Sequence, residues 1–503
     1  MTERKLSGAS PAHVWEALPW KKFHTQVFRL QRRIAKAERE GKHGKVKSLQ
    51  WILTHSFTAK ALAVKRVTEN QGGKTPGIDR IVWKTPEQKM QAISHLKRRG
   101  YKAKPLRRIY IPKKDGRQRP LSIPTILCRA QQALHLLALE PIVEIRADPC
   151  SYGFRKKRST ADALEQTVRT LSTRVCAQWV LEADIESCFD RISHSWIQDK
   201  IPMDKSMLNK WLKAGYIDQK AFHRTEFGVP QGSLISPAIC VLTLSGLEAA
   251  AINCYHKRKG KINVVAYADD FIITGASREI LEDHVKPAVA AFLKERGLRL
   301  SEKKTRITNI EEGFDFLGFN VRKYKGKLLT KPSKANIKSF YANLKTMVKS
   351  HPTATTEALI HMLNSKIIGW AYHFRHSCAS KTFGTMDHRI FDLLWRWVTR
   401  RHSRESAQWK RKKYFRSRGF QNWVFTTKVI CKDKAKKNLD LFEMGSVKIR
   451  RHTQVQKAAN PFDPKFVEYF KKRDLLRKYL QEQDRKRRLK YFVDLDAAGL
   501  AAS

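Results

Sequence analysis

The first pattern along the chain is a helical repeat of apolar residues between residues 20 and 66. Phe23, Val27, Leu30 and Ile34 recur every three or four positions, and a second run of the same kind follows. This spacing places the apolar side chains on one face and predicts helices. The second run comprises Val46, Leu49, Ile52 and Leu53.

Basic residues occupy the other faces of these predicted helices. They are Arg29, Arg32, Arg33, Lys36, Lys45 and Lys47. Such a face is either a solvated helix surface or an arm that binds nucleic acid. A Gly- and Pro-rich stretch, residues 72–79, then predicts a loop.

Alternating apolar residues predict two strand pairs further on. Residues 106–112 and 119–124 flank the turn 113–116, so Lys113 and Arg119 lie on either side of one hairpin turn. Charged residues on a hairpin are also common on edge strands, where they prevent aggregation. The second pair is Val264–Thr274, in which two apolar runs flank Asp269 and Asp270.

Between the hairpins, the pattern predicts a helix over 129–139 and a strand over 179–184 that ends at Asp184. A helical turn with Phe189 follows that strand. The glycine-punctuated loop 227–233 contains Gln231 and Gly232 and opens an apolar helix through Ile239, Leu242 and Leu247.

The last third of the chain is predicted to be largely helical. Apolar periodicity favours helices over about 334–350, 355–376 and 385–402, and the third carries an apolar stripe expected to be core. That stripe comprises Ile390, Phe391, Leu394, Trp395 and Val398. The tail after about residue 440 is basic and partly helical.

The chemical interest centres on Asp269 and Asp270. Adjacent anions beside an apolar core are costly, so they should be solvated at an exposed turn or neutralised by a metal ion. An ordinary Asp-Asp turn is the simpler alternative.

The amino-acid composition indicates which class of partner the protein binds. The 503 residues include 100 Lys and Arg against 46 Asp and Glu, a formal charge of +54, and 42% are hydrophobic. This excess favours a polyanion, with nucleic acid first, and no membrane is expected. The eight cysteines are scattered without a C-x-x-C pair, and no signal-peptide pattern is visible, so a cytoplasmic protein with reduced thiols is expected, associated with the nucleoid or a ribonucleoprotein.

Ordered blocks from residue 75 to about 321 resemble the reverse transcriptases, and more specifically the group II intron-encoded reverse transcriptase/maturase family. The blocks are Thr75–Asp79, Ile111–Lys113, Ser151–Arg155, Phe189–His194, Pro230–Gly232, Tyr267–Asp270, Leu298–Thr305 and Gly313–Phe319. Residues 364–374, Tyr414, Phe415 and 423–425 resemble the thumb, or maturase domain, of that family.

The resemblance implies an α+β right-hand polymerase with fingers, a palm with an antiparallel sheet, a three-helix thumb and a basic helical tail. The implied domains are a basic N-terminal extension and start of the fingers (1–74), fingers and palm (75–325), thumb/maturase domain (326–440) and a DNA-binding-like tail (441–503). Residues 459–470 resemble the segment that introduces an HNH endonuclease in many relatives. With the last cysteine at Cys431 and the last histidine at His452, we expect that nuclease to be absent.

The resemblance also assigns roles. Asp184, Asp269 and Asp270 would be catalytic and, with the backbone carbonyl of Ile185, would hold two Mg²⁺ ions. Carboxylate oxygens suit Mg²⁺, and a pair of ions about 3.5–4 Å apart can serve nucleotidyl transfer. Lys113 and Arg119 would neutralise the incoming triphosphate, Phe189 would exclude the ribose 2′-hydroxyl, and Gln231 and Gly232 would line the nucleotide pocket.

The function implied is RNA-directed DNA polymerisation, together with binding of the intron RNA to promote splicing and mobility. The expected partners are group II intron RNA, a DNA target, an RNA template with a DNA primer, and dNTPs. Arg29, Arg32, Arg33 and Lys36 are the candidate RNA contacts. Two alternatives stay open: a splicing cofactor with a vestigial polymerase site, and a reverse transcriptase of a defence system.

Overall fold

The computed structural model describes residues 11–112, 116, 118–419, 421–430, 436–489 and 491, and the chain forms two compact units. The first comprises Met1–Leu171, Val175–Asn309 and Gln454–Val467. The second comprises Ser172–Arg174, Ile310–Thr453 and Glu468–Ser503. These units do not coincide with the predicted domains, because residues 454–467 of the predicted tail belong to the first unit.

The first unit combines helices with two four-stranded sheets. Its helices are α1 (Pro11–Glu16), α2 (Trp20–Arg39), α3 (His43–His55), α4 (Phe57–Glu69), α5 (Pro86–His95), α6 (Ile126–Arg146), α7 (Thr160–Leu171), α8 (Cys188–Arg191), α9 (His194–Lys200), α10 (Lys205–Leu212), α11 (Ser236–Leu244), α12 (Leu247–Asn253), α13 (Lys257–Gly260) and α14 (Lys286–Lys294). Its strands are β1 (Leu106–Pro112), β2 (Gln118–Ile123), β3 (Trp179–Asp184), β4 (Tyr216–Asp218), β5 (Ala221–His223), β6 (Asn263–Tyr267), β7 (Asp270–Gly275) and β8 (Arg306–Asn309).

The two sheets differ in pairing. One has the order β2-β1-β4-β5, in which β1 and β4 run parallel and the other pairs are antiparallel. The other has the order β6-β7-β3-β8 and is antiparallel throughout. The antiparallel sheet expected for a palm is therefore present, and β1 and β2 pair as predicted.

A single hydrophobic core joins the helices to the antiparallel sheet. α6 contacts α2, α3, α4 and α11, and Leu181, Ala183, Phe271 and Ile273 of the sheet belong to the same buried cluster. Thr125 caps the start of α6 by accepting a hydrogen bond from the backbone N–H of Cys128. The helix, Ile126–Arg146, extends beyond the predicted 129–139 at both ends.

The apolar segment Ser236–Asn253 is long and apolar enough to cross a membrane by length and composition alone. In the structure it is two helices, α11 and α12, because Gly246 adopts φ +95° between them. More than half of the segment is buried in the protein. The single helix predicted through Ile239, Leu242 and Leu247 is therefore wrong at its end, since Leu247 begins the next helix.

The second unit begins with a three-stranded sheet and continues with helices. Its strands are β9 (Phe314–Phe316), β10 (Phe319–Tyr324), β11 (Lys327–Pro332), β12 (Phe415–Arg418), β13 (Gln421–Ile430) and β14 (Lys436–Asp440). Its helices are α15 (Lys334–Ser350), α16 (Thr356–Phe374), α17 (Ser380–Arg401), α18 (Ala407–Tyr414) and α19 (Val467–Leu489), of which Val467 itself falls in the first unit.

The three helices predicted after the palm correspond to α15, α16 and α17. Ser333 and Thr355 cap α15 and α16 through side-chain oxygens, as their types favour. α17 begins at Ser380, five residues before the predicted start. Ile390, Leu394 and Val398 are buried, as the stripe predicted, whereas Phe391 and Trp395 are half-buried against Phe415 and Trp423.

Residues 454–467, which we call the C-terminal strap, pack into the first unit. Gln454 donates to the Tyr152 hydroxyl at 2.6 Å and to the Gln166 amide oxygen at 2.9 Å. The backbone of Val455 donates to Asp162, and Asn460 donates to the carbonyl of Glu144. Residues 459–467 of the segment that resembles an endonuclease leader (459–470) thus belong to the first unit, and its last three residues belong to the second.

Candidate active site

The predicted Asp-Asp hairpin is present, with the two residues Ala268 and Asp269 as its turn. Tyr267 pairs with Asp270 at the base of that turn. Ala268 adopts φ +60°, a conformation that L-residues other than Gly rarely take. The strained turn holds Asp269 beyond the strand ends.

β3 brings the third carboxylate to the same edge of the sheet. Asp184, the last residue of β3, lies directly opposite Asp270 on β7. Residues facing each other on antiparallel strands have Cβ atoms about 4.5–5.5 Å apart. Asp184 and Asp270 are 86 positions apart in the sequence, and the sheet register brings them together.

A second segment supports the hairpin from its β6 side. Tyr152 donates its backbone N–H to the carbonyl of Ala266, and Ala266 donates to Cys150. Gly153 then lies against the turn, so close that a Cβ atom there would be 2.3 Å from the backbone nitrogen of Ala268. Only glycine fits this contact, which accounts for the glycine in the Ser151–Arg155 block.

The positive charges near Asp269 and Asp270 do not offset the effects of burial and of the neighbouring carboxylates on their pKa values. Burial, the charge of Asp269 and then that of Asp184 raise the pKa of Asp270 to about 7. Burial also raises the pKa of Asp269, with Asp184 adding to the effect, while Arg119 and Lys304 act in the opposite direction. The raised pKa values mean that the negative charges of Asp269 and Asp270 are poorly stabilised by the protein alone. A divalent cation would stabilise those charges, so the cluster is suited to bind one.

Lys304 supplies part of the missing charge. Its Nζ lies 2.9 Å from Oδ2 of Asp184, and both side chains are partly exposed. Within the described ranges, no three His, Cys, Asp or Glu side chains converge on a point that could hold a metal ion. The fit to a divalent ion therefore rests on chemistry alone, since Asp184, Asp269 and Asp270 carry the carboxylate oxygens that Mg²⁺ prefers, and Lys304 pairs with one oxygen of Asp184.

Ile185 follows Asp184 and is buried. It forms an isolated antiparallel bridge with Leu300, flanked by hydrogen bonds from Ser301 to the Asp184 carbonyl and from Glu186 to the Arg299 carbonyl. In such a pair the central residue's own backbone groups face the opposite side. The carbonyl of Ile185 is thus directed toward the side on which β7 lies.

Phe189 lies in α8, as predicted, and is half-buried. Its carbonyl accepts from Val229 at 2.6 Å, and its ring meets that of Phe154 edge-on with centroids 6.2 Å apart. Gly228 permits this contact, since a Cβ atom there would be 2.5 Å from the Phe189 carbonyl oxygen. These contacts fix the Phe189 backbone, while its side chain packs partly buried against the hydrophobic core, so its role at the sugar stays a prediction.

The loop with Gln231 and Gly232 is hydrogen-bonded to two elements beside the carboxylates, β2 and α8. Gln231 accepts from the backbone of Ser122 on β2, and its amide donates to both carboxylate oxygens of Asp190 at 3.0 and 3.2 Å. Gly232 adopts φ +106°, with the Ser122 carbonyl 3.1 Å from where a Cβ atom would lie. The loop thus connects α8 to the hairpin that carries Arg119.

Of the two predicted phosphate-binding residues, the structure describes one. Arg119 is exposed on β2, opposite Ile111, and its charge acts on Asp269. Lys113 lies outside the described residues. The predicted turn between β1 and β2 is described only at Gly116.

The predicted RNA-binding residues lie on α2. Arg29, Arg33 and Lys36 are exposed, and Arg32 is half-buried. Their spacing of three and four residues places the exposed three on one face of the helix. Their role in binding RNA stays a prediction.

Sequence reasoning missed two contributors to the site. Lys304 belongs to the Leu298–Thr305 block, which marks this segment by resemblance but does not distinguish Lys304 from the adjacent Lys303. Glu182, two residues before Asp184 on the same face, is held by Arg306 at 2.7 and 2.9 Å and by Thr308 at 2.8 Å. Nothing in the sequence indicated that pairing.

Three family profiles match the chain. Residues 111–321 match the reverse transcriptase (RNA-dependent DNA polymerase) profile, residues 15–96 match the N-terminal domain of reverse transcriptase, and residues 337–415 match the group II intron maturase-specific domain. The last of these spans α15, α16, α17 and α18.

Individual relatives agree with the profiles. Protein YkfC of Escherichia coli (strain K12) is 31% identical over 307 residues, 52% of this chain and 79% of YkfC. Group II intron-encoded protein LtrA of Lactococcus lactis subsp. cremoris is 26% identical, covering 57% of this chain and 59% of LtrA. The putative COX1/OXI3 intron 1 protein of Saccharomyces cerevisiae is 28% identical, and the chain spans only 38% of it.

Proposed function

This chain belongs to the family of group II intron-encoded reverse transcriptases and maturases, and on that premise we propose that it is an RNA-directed DNA polymerase that also binds its intron RNA to promote splicing and mobility. The observation that carries the proposal is the meeting of Asp184, Asp269 and Asp270 at one edge of the antiparallel sheet. Arg119 and Lys304 act on that edge, and Phe189 lies in the adjoining helical turn.

The carboxylates would hold two Mg²⁺ ions together with the carbonyl of Ile185. Reverse transcriptase domains use divalent metals in general, and bound ions activate the 3′-hydroxyl and stabilise charge on the attacking and leaving oxygens. Asp184, Asp269 and Asp270 would be the carboxylate ligands of these ions. Lys304, which pairs with Asp184, would remain a positive charge beside the site.

The surrounding residues bind and orient the nucleotide. Arg119, with Lys113, neutralises the triphosphate, where charge develops on the departing phosphates. Phe189 fills the space beneath C2′ of the incoming sugar, and Gln231 and Gly232 line the pocket for the base and template. The hydrogen bonds from Gln231 to Asp190 and from Ser122 to Gln231 keep that pocket wall in place.

RNA binding would use a different surface from polymerisation. The profile match at residues 337–415 supports contact with intron RNA, and the basic face of α2 is our candidate for a further contact. The bound RNA, a DNA target and a primed template are thus separate partners. Basic surfaces of this kind contact phosphates without base specificity, so several can act together.

The decisive experiment is primer extension on an RNA template with dNTPs and Mg²⁺. Asp269→Asn should abolish extension, because it removes a charged oxygen with little change in volume. The same variant should bind the intron RNA as tightly as the wild type and still promote splicing. Circular dichroism and melting would verify its fold.

For a variant of the basic face of α2 we expect the opposite result, in which RNA binding weakens while polymerisation persists. Replacing Arg29, Arg32, Arg33 and Lys36 together by Ala should weaken RNA binding and lower its salt slope by about 0.7–0.9 per lost phosphate contact, while extension of a short primer persists. Extension by Asp269→Asn at the wild-type rate would refute the site. Splicing by a wild-type protein that extends no primer would show the alternative, a splicing cofactor.

A further inference from the structure

A large cavity in the first unit lies apart from the predicted site. Its volume is about 1110 Å³, and α3, α6, α9, the start of α10 and residues 96–99 line it. Protein sites for small ligands typically measure about 300–1,000 Å³, so the cavity has room for a nucleotide with its flanking phosphates. Among the described residues, none of the predicted catalytic, nucleotide-binding or RNA-binding residues lines it.

An aromatic platform stands at the cavity. The Trp51 ring stacks on His55 with centroids 4.3 Å apart and an interplanar angle of 23°, and His55 Nδ1 lies 2.8 Å from the Trp51 carbonyl oxygen. Trp51 is nevertheless 61% exposed. A rigid, exposed indole backed by a second ring is the kind of surface on which an unpaired base stacks.

The cavity also has a strong excess of positive charge. Eight Lys and Arg side chains line it against three carboxylates. Each carboxylate already has a partner, since Glu38 pairs with Arg146 at 2.6 Å, Asp204 with Arg98 at 2.5 Å and Asp199 with Lys200 at 2.9 Å. The excess of positive charge is therefore left for a ligand.

Two of the remaining cations repel each other. Burial, followed by the charge of Lys97, lowers the pKa of Lys60, so the two ammonium groups are close enough to oppose each other's charge. Lys47 and Arg99 also line the cavity and are exposed. An anion between Lys60 and Lys97 would relieve this repulsion, and phosphate is the anion that accompanies a base.

We propose that this cavity binds an unpaired nucleotide of the RNA partner, with its base stacked on Trp51 and its phosphate between Lys60 and Lys97. The proposal rests on the proposed function, which supplies the RNA, and assigns it a site distinct from the basic face of α2. Paired RNA cannot use the platform, because its bases are already stacked within the helix. The cavity would thus select a loop or bulge within the folded intron.

The test compares binding of two RNAs to variants of the full chain. The probes are the folded intron RNA that carries the gene and an RNA hairpin whose loop is replaced by a non-nucleotide linker, so that every base is paired. Trp51→Ala should weaken intron binding about 5- to 140-fold, equivalent to about 1–3 kcal/mol at 1.4 kcal/mol per tenfold change, and leave hairpin binding unchanged. Trp51→Phe should restore much of the affinity.

Ile52→Ala is the matched control, since Ile52 is 45% exposed on the same helix and does not line the cavity. It should bind like the wild type. Lys60→Gln with Lys97→Gln should lower the salt slope for intron binding by about 0.7 per lost contact. Melting curves would confirm that each variant is folded.

The outcomes separate the two proposals. If the wild type binds the intron more tightly than the hairpin but Trp51→Ala equals Ile52→Ala, the cavity site is wrong and the proposed function stands. Equal losses on the intron, the hairpin and single-stranded DNA would also overturn the site. If the wild type itself shows no preference for the intron, the proposed RNA partner fails.

Discussion

Replacing Gln454 by Ala should destabilise the first unit, because this strap residue serves two buried partners. Its amide donates to the hydroxyl of Tyr152 at 2.6 Å and to the amide oxygen of Gln166 at 2.9 Å. Tyr152 is 1% exposed, and Gln454 and Gln166 are also buried. No water can readily replace the lost amide if the site collapses around the truncation.

The magnitude follows from those two hydrogen bonds. A buried polar group left without its partner costs about 1–3 kcal/mol, and two such groups remain after the substitution. Allowing for partial relaxation, we expect the free energy of unfolding to fall by about 2–4 kcal/mol. Removal of the side-chain methylenes adds a smaller cavity cost of the order of 1 kcal/mol.

The assay is denaturant unfolding of the full chain, following the transition of the first unit. Gln454→Met separates the two causes, since it restores volume without the amide and should recover only the cavity cost. Lys457→Ala is the matched control, because its exposed side chain lies three residues along the strap and its backbone carbonyl, which Ala retains, is the group that accepts from Arg158.

The substitution should also slow primer extension at temperatures where the protein stays folded. Tyr152 hydrogen-bonds to Ala266 beside the Asp-Asp hairpin, so a loosened Tyr152 shifts the support of that turn. The effect should appear in the extension rate more than in dNTP affinity. A Gln454→Ala protein within 0.5 kcal/mol of Lys457→Ala, an approximate limit for neutral surface changes, would refute the reasoning.

Three further predictions follow from individual contacts. Phe189→Ala should raise incorporation of rNTPs relative to dNTPs at matched concentrations, since it opens space beneath C2′; an unchanged ratio would mean that the ring only packs. Gly153→Ala should sharply reduce extension, because its Cβ atom would lie 2.3 Å from the nitrogen of Ala268, whereas Gly44→Ala, with nothing within 4 Å, should extend like the wild type. Burial raises the pKa of Asp387 to about 6, so the folded protein binds this proton more tightly than the unfolded chain. Its stabilisation is complete below about pH 4 and is lost as the pH rises through 6, and Asp387→Asn should flatten that part of a stability–pH curve; an unaltered slope would exclude Asp387 as its source.

The carboxylate site was predictable because its information is local. Each Asp follows or interrupts a short apolar run, and such runs form strands whose ends are polar. The order of the blocks then allowed Asp184 to be associated with Asp269 and Asp270. The local pattern does not determine the register of the strands. The observed pairing of β3 with β7 is what places Asp184 opposite Asp270.

The charges around the site were less accessible to sequence reasoning. In a chain with 100 Lys and Arg residues, Lys304 has no local feature that distinguishes it from its neighbours. Its role depends on the turn after Leu300, which brings its Nζ to Asp184. Trp51 is similar, since an aromatic residue within an apolar helical repeat predicts core, and only the fold shows it exposed.

The C-terminal strap shows a limit of a different kind. Gln454 and Tyr152 are 302 positions apart, and the apolar residues of the strap have neither helical nor strand periodicity. Resemblance to a leader segment covers only its residues from 459 onward, and neither that resemblance nor periodicity predicts the contacts with Glu144, Tyr152 and Asp162.

The physical consequence is that the first unit is completed by residues that lie, in the chain, between two segments of the second unit, Ile310–Thr453 and Glu468–Ser503. Contacts across so long a separation cost loop-closure entropy, so they persist only when the ends bury polar partners that nothing else satisfies. Asp162, itself 1% exposed, accepts from the Val455 backbone, and Arg158 donates to the carbonyl of Ala459. The strap therefore stabilises the segment beside the Asp-Asp turn, and changes after residue 453 should affect DNA synthesis even though they lie far from the carboxylates in the sequence.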